Sequence, residues 1–196
     1  LNQYLLNAPK YAIDDFLSSS FQTIYGIISM PATILILCSQ FIVQPLLTKV
    51  TSFVAKNEYI SLRKMTFKIT FAIILIGLLG EVACYLVGIP FLELIYGISL
   101  EKYLFHLMII IAGATVYGII SVISVVLIAL RKNSFQLIFY GVASLFVMIL
   151  SKVFVQNFSI MGACLSYLIT MILLCLMYVI YFVYVIFVLE KKKEGK

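Results

Sequence analysis

The sequence predicts an all-α membrane protein, a polytopic helical bundle, and three observations carry that expectation. Hydrophobic residues make up 64% of the 196-residue chain and charged residues only 11%, with a mean hydropathy of +1.16. Ordinary soluble domains carry roughly 25% charged residues, and a soluble fold of this length could not hide so much apolar surface. Apolar runs recur at lengths that suit a bilayer core, which needs about 20 residues. Basic residues gather in alternate connections, the pattern left when positive loops stay in the cytoplasm.

Taken in order, residues 1–20 read as the end of a preceding helix and an extracytoplasmic loop. LNQYLL looks like a helix tail, the chain starts at Leu1 rather than Met, and no signal peptide is visible. The expectation is a piece with substantial protein upstream. Pro9 is expected to end any arriving helix. Lys10, Asp14 and Asp15 make the entry polar, and Ser18 to Ser20 offer N-cap hydroxyls.

Residues 21–196 read as a helical membrane unit with five spans, at about 24–47, 67–87, 104–130, 135–155 and 160–189. The first span is not a plain anchor. Pro31 and Pro45 interrupt it, and proline both removes an N–H donor and clashes with the preceding turn, so Pro31 should kink the helix. Gln40 and Gln44 are four residues apart and share a face. Lipid cannot hydrogen-bond their amides, so that face should meet other helices or a wet cavity. Two readings stay open: a kinked span with a polar stripe, as a moving transporter needs, or a packed helix whose Gln side chains bond to neighbours.

A basic stretch from Lys49 to Lys68 follows, with a short interfacial helix expected to dip Phe53 and Val54 into the headgroup layer. The second span contains Glu81 and should stop at Gly88 and Pro90, leaving FLELIYGISLEKY along the membrane surface. Ala114 and Gly118 form a small-x-x-x-small pair in the third span, which lets backbones approach closely. Arg131 to Ser134 read as a tight charged turn, and Lys152 lies near the end of the fourth span. QNFSIMG separates the fourth span from the fifth, which is long enough to tilt or emerge. The tail EKKKEGK should be polar and disordered. Eleven of the 14 Lys and Arg fall in the segments 49–68, 131–132 and 190–196, which puts those segments and the C-terminus in the cytoplasm. The basic loops can touch anionic lipids, so the +6 net charge needs no nucleic acid.

Chemistry has few places to live. Glu81 is the acid set well inside a span, where a charge costs on the order of 2.5–3.5 kcal/mol on insertion scales. It reads either as a coupling or substrate contact or as a carboxylate reaching the outer headgroups. Lys152 reads as an interfacial side chain that snorkels, or as part of a cationic rim for a phosphate-bearing lipid. Lys10 could line an outer vestibule. His106 and the cysteines at 38, 84, 164 and 175 have no metal-ligand spacing, and no catalytic motif is present. Neither an enzyme nor a metal or other cofactor is expected.

Asn7-Ala8-Pro9-Lys10-Tyr11-Ala12-Ile13-Asp14, then Tyr25, Met30-Pro31-Ala32, Gln40-Phe41 and Gln44-Pro45-Leu46, resemble bacterial polysaccharide biosynthesis proteins. These are the oligosaccharide-lipid flippases of the multidrug/oligosaccharidyl-lipid/polysaccharide exporter superfamily. The likeness continues through Gly88-Ile89-Pro90, Leu94-Ile95-Tyr96-Gly97, Arg131-Lys132, Gly162-Ala163 and Ser166-Tyr167. It implies the C-terminal lobe of a two-lobe transporter in the bacterial cytoplasmic membrane, whose N-terminal lobe is missing here and would be its partner. The implied substrate is undecaprenyl-diphosphate-linked oligosaccharide, moved outward for surface polysaccharide such as capsule. Gln40, Gln44, Glu81 and Lys10 are this lobe's candidates for the cavity or for coupling. The rivals are a drug/cation antiporter of the same superfamily, which wants several buried acids, and a non-transporting scaffold of a polysaccharide assembly complex.

Overall fold

The computed structural model describes residues 2–194, apart from the side chains at 2, 3, 6 and 192–194. Among them the regular elements are helices: α1 (Asn2–Phe16), α2 (Ser19–Ile28), α3 (Met30–Val43), α4 (Leu46–Ala55), α5 (Tyr59–Ala83), α6 (Ile89–Tyr96), α7 (Leu104–Ala129) and α8 (Ser134–Glu194). Four stretches are long and apolar enough to cross a membrane: Ser19–Val43, Tyr59–Tyr96, Glu101–Ala129 and Ser134–Lys191. By that measure the chain is an all-α, multi-pass membrane protein.

α7 is the hub, because its small residues let neighbours come close. A methyl group at Gly118 would stand 2.7 Å from Ile73 of α5 and 3.0 Å from the Ser39 hydroxyl of α3. One at Gly113 would stand 2.5 Å from the Tyr167 ring of α8. Ala114, Ile111, Ile120 and Leu127 of the same helix are fully or nearly fully buried. Without a hydrophobic force between helices in lipid, close van der Waals packing of this kind is what holds them together.

α8 has 61 residues, about 90 Å if straight and far longer than a bilayer core. It doubles back instead. Ser159 leaves helical geometry at φ 52° and ψ −135°, and Gly162 returns against the Phe154 carbonyl. Further along, the Phe135–Tyr181 and Phe139–Tyr178 rings pair at 4.7 and 5.4 Å. Each pair is centred on the same point of the chain, so the arms 134–158 and 160–194 run antiparallel, side by side.

Several local expectations give way to packing. Pro9 does not end a helix: it sits inside α1 and is buried, so residues 1–20 are mostly helix rather than loop. An interior proline costs roughly 3 kcal/mol. Leu5 and Ile13 of α1 are fully buried, and a buried side chain of that size gains about 40–60 atom contacts at about 0.1–0.2 kcal/mol each, which outweighs the proline. Gly88 and Pro90 do not end the second rod either. A π-helical turn at Cys84–Gly88 absorbs the irregularity, and Pro90 falls in the first turn of α6, where its missing N–H is not needed. The stop comes at Gly97, whose φ of 67° a glycine adopts without strain. Phe53 and Val54 turn inward onto Val50, Leu62, Val126 and Ile186 rather than outward. The tail is helical as far as Glu194, while the rest of EKKKEGK lies outside the described residues.

That inward cluster draws α4, the start of α5, the end of α7 and the late part of α8 to one end of the bundle. Arg63 and Glu190 pair across it at 3.1 Å. This end carries Lys49, Lys56, Lys64, Lys68, Arg131 and Lys132. At the opposite end Lys152 faces Asp15 at 3.7 Å, so it meets an acid of α1 there.

Candidate functional site

α3 is bounded by two joints. Ser29 closes α2 and opens α3, with Pro31 in the first turn of the new helix, so the bend falls two residues before the proline. At the far end the Gln44 N–H donates to the Gln40 carbonyl at 2.9 Å. Pro45 has no N–H to continue the ladder, and the chain restarts as α4. The two joints leave α3 as a short rod whose last turn carries Gln40, Val43 and Gln44.

Those three residues meet Tyr117, Ser121, Ser124 and Val125 of α7 and Tyr140 of α8 around a cleft of ≈ 190 Å³. The Ser121 hydroxyl donates to the Tyr117 carbonyl at 3.1 Å. Ser124 is clasped by Gln136, which accepts from its hydroxyl and donates to its carbonyl, both at 3.1 Å. Behind Tyr140 lies Tyr178, fully buried, with ring centres 6.1 Å apart. Neither the Gln40 nor the Gln44 side chain bonds to another described residue. Both Gln residues thus border the cleft. None of the eight lining residues is ionised near neutral pH. The two amides can donate to and accept from a neutral hydroxylated group, or water, and the two serine hydroxyls, whose hydrogens are already given to Tyr117 and Gln136, can accept from it, but none of them can neutralise a charge.

Glu81 and Lys10 lie elsewhere. Because α5 continues through the π-turn into α6, Glu81 is not near the outer end of its rod. It stands thirteen residues after Lys68 and twelve before Glu93, about 20 Å from either. It is half-buried, and among the described residues no cation lies within ion-pair distance of it. Lys10 borders a separate pocket of ≈ 300 Å³ with Gln22, Thr23, Gly26, Ile27 and Met30. Its ammonium would touch a methyl placed on Gly26 at 3.4 Å. Met30 and Gln44 end opposite parts of the α3 rod, about 20 Å apart, so the Lys10 pocket and the Gln cleft are distinct.

Of the four polar candidates, then, the structure brings Gln40 and Gln44 together and leaves Glu81 and Lys10 apart from them. The α7 side of the cleft had a legible signal, since Tyr117, Ser121 and Ser124 recur at helical spacing on one face. Tyr140 had none, because only the hairpin of α8 brings it there. No protein-family model matches the chain, and neither a curated protein nor a solved structure does.

Proposed function

We propose that this chain is the C-terminal lobe of a two-lobe flippase in a bacterial cytoplasmic membrane. Its cargo is undecaprenyl-diphosphate-linked oligosaccharide, carried from the inner to the outer leaflet for surface polysaccharide export. The observation that carries the reading is the uncharged cleft among apolar rods. A sugar headgroup cannot cross hydrocarbon unaided, while its lipid tail can stay in the bilayer. Amides, hydroxyls and phenol rings offer sugar hydroxyls the hydrogen bonds they lose on leaving water. The diphosphate needs cations, which this cleft lacks and which the N-terminal lobe would supply.

Orientation supports loading from inside. With the basic end in the cytoplasm, Gln44 and Ser124 lie in the cytoplasmic half, and the joints at Ser29 and Pro45 allow α3 to swing as the lobes rock. A drug/cation antiporter would want a carboxylate in the cleft, and the lining there is neutral.

The test is deletion of the full-length gene, followed by leaflet-resolved measurement of lipid-linked oligosaccharide. Accumulation in the inner leaflet with loss of surface polysaccharide is expected. Normal surface polysaccharide in the deletion strain would reject the flippase. Loss of the polysaccharide without accumulation would favour a scaffold.

A further inference from the structure

Outside the cleft, the outward face of α5 at the basic end combines two features that belong to one kind of molecule. Arg63, Lys64, Phe67 and Lys68 enclose a groove of ≈ 400 Å³ whose walls are almost wholly apolar, built from the ring and from the methylene stems of the cations. Phe67 is 74% exposed, whereas Leu62 and Thr66 on the opposite face are buried against the bundle. Arg63 is engaged by Glu190. Lys64 and Lys68 are exposed, and among the described residues neither has an acid within ion-pair distance. Beyond the groove the same face continues as exposed Phe71, Leu75, Leu78 and Val82. It therefore changes from cationic to hydrocarbon within two helical turns.

We propose that this groove binds one anionic glycerophospholipid, with the phosphate between Lys64 and Lys68 and an acyl chain along Phe67 and Phe71. Charge complementarity selects an anionic headgroup, and a greasy groove beneath the ammonium groups selects an amphiphile over a free ion. Long cationic side chains with buried stems and solvated heads are built for that boundary. The site lies on the far face of α5 from α7 and is independent of the flippase reading.

The experiment uses the full-length protein in neutral detergent, titrated with phosphatidylglycerol, phosphatidylcholine or inorganic phosphate while the melting temperature is followed. Phosphatidylglycerol should raise it and the other two should not. Each surface cation contributes roughly a fivefold gain in affinity for an anionic lipid surface, so Lys64→Gln with Lys68→Gln should weaken phosphatidylglycerol about 25-fold, and 0.5 M salt should mimic the change. Equal response to phosphatidylcholine or to inorganic phosphate, or an unchanged double variant, overturns the proposal. A photo-crosslinking amino acid replacing Phe67, activated in native membranes, gives a second reading that does not depend on melting. Capture of anionic phospholipid supports the site, and capture of protein or of zwitterionic lipid alone overturns it.

Discussion

α7 and the broken series α2–α3–α4 are built on opposite principles. α7 runs 26 residues without interruption and buries twelve of them. The series α2–α3–α4 is cut at Ser29 and again at Gln44–Pro45, and it turns Ile34, Leu37 and Phe41 outward. Small residues serve as contact surface in the first case, and prolines serve as joints in the second. The polar cleft lies where the two meet: the fixed wall comes from α7 and the jointed wall from α3. Continuity and interruption are thus divided between helices rather than mixed within one.

The division can be broken most severely at the places where close approach leaves no room. Gly162→Val puts a side chain into the Phe154 carbonyl, which cannot recede because it belongs to the other arm's backbone. The expected outcome is loss of monodisperse protein after detergent extraction. Gly113→Leu drives four carbons toward the Tyr167 ring. Overpacking of this kind costs about 1–3 kcal/mol or more, and a clearly lowered melting temperature is expected. The same substitution at Gly141, where a methyl meets nothing within 4 Å, serves as the control and should be near neutral.

The jointed side should respond in function rather than in stability. On the proposed flippase reading, Gln40→Leu or Gln44→Leu should keep the melting temperature and cut flipping about tenfold, since an unmet hydrogen bond to a desolvated partner costs about 1–3 kcal/mol. Vesicle flipping assays with a purified lipid-linked oligosaccharide would measure it. Equal loss of melting temperature in these variants would erase the contrast between the two walls. The smallest effect is expected at Asp15→Asn. Asp15 and Lys152 are both about half exposed, and such pairs contribute about 0–1 kcal/mol, so the melting temperature should move by less than a few degrees.

What the sequence made legible follows from where the causes act. The all-α character and the presence of long apolar helices follow from local composition, and the tight turn at Arg131 follows from its residues. The ends of α1 and α6 were not legible, because Pro9, Gly88 and Pro90 carry strong local signals that neighbours override. At Pro9 the contact with α8 outweighs the missing hydrogen bond. At Gly88 a π-turn shifts the register by one residue and carries the rod on to Tyr96. That extension also moves Glu81 from near an end to the middle of its rod, which no reading of the span alone could supply. Half of the cleft was visible as a Gln pair. The other half required the α8 arms to fold together.

The reversal at Ser159 leaves no loop between the two helical arms. With Gly162 seated on Phe154, the two arms meet through the single non-helical residue Ser159, and the tip they form keeps Gln156, Asn157, Phe158 and Ser159 exposed. Biogenesis feels the same constraint: a first arm released alone would present its Tyr140 and Ser144 faces to bare lipid. Insertion of the two arms as a pair would keep those faces covered, and an epitope spliced between them is expected to disrupt the packing of the arms.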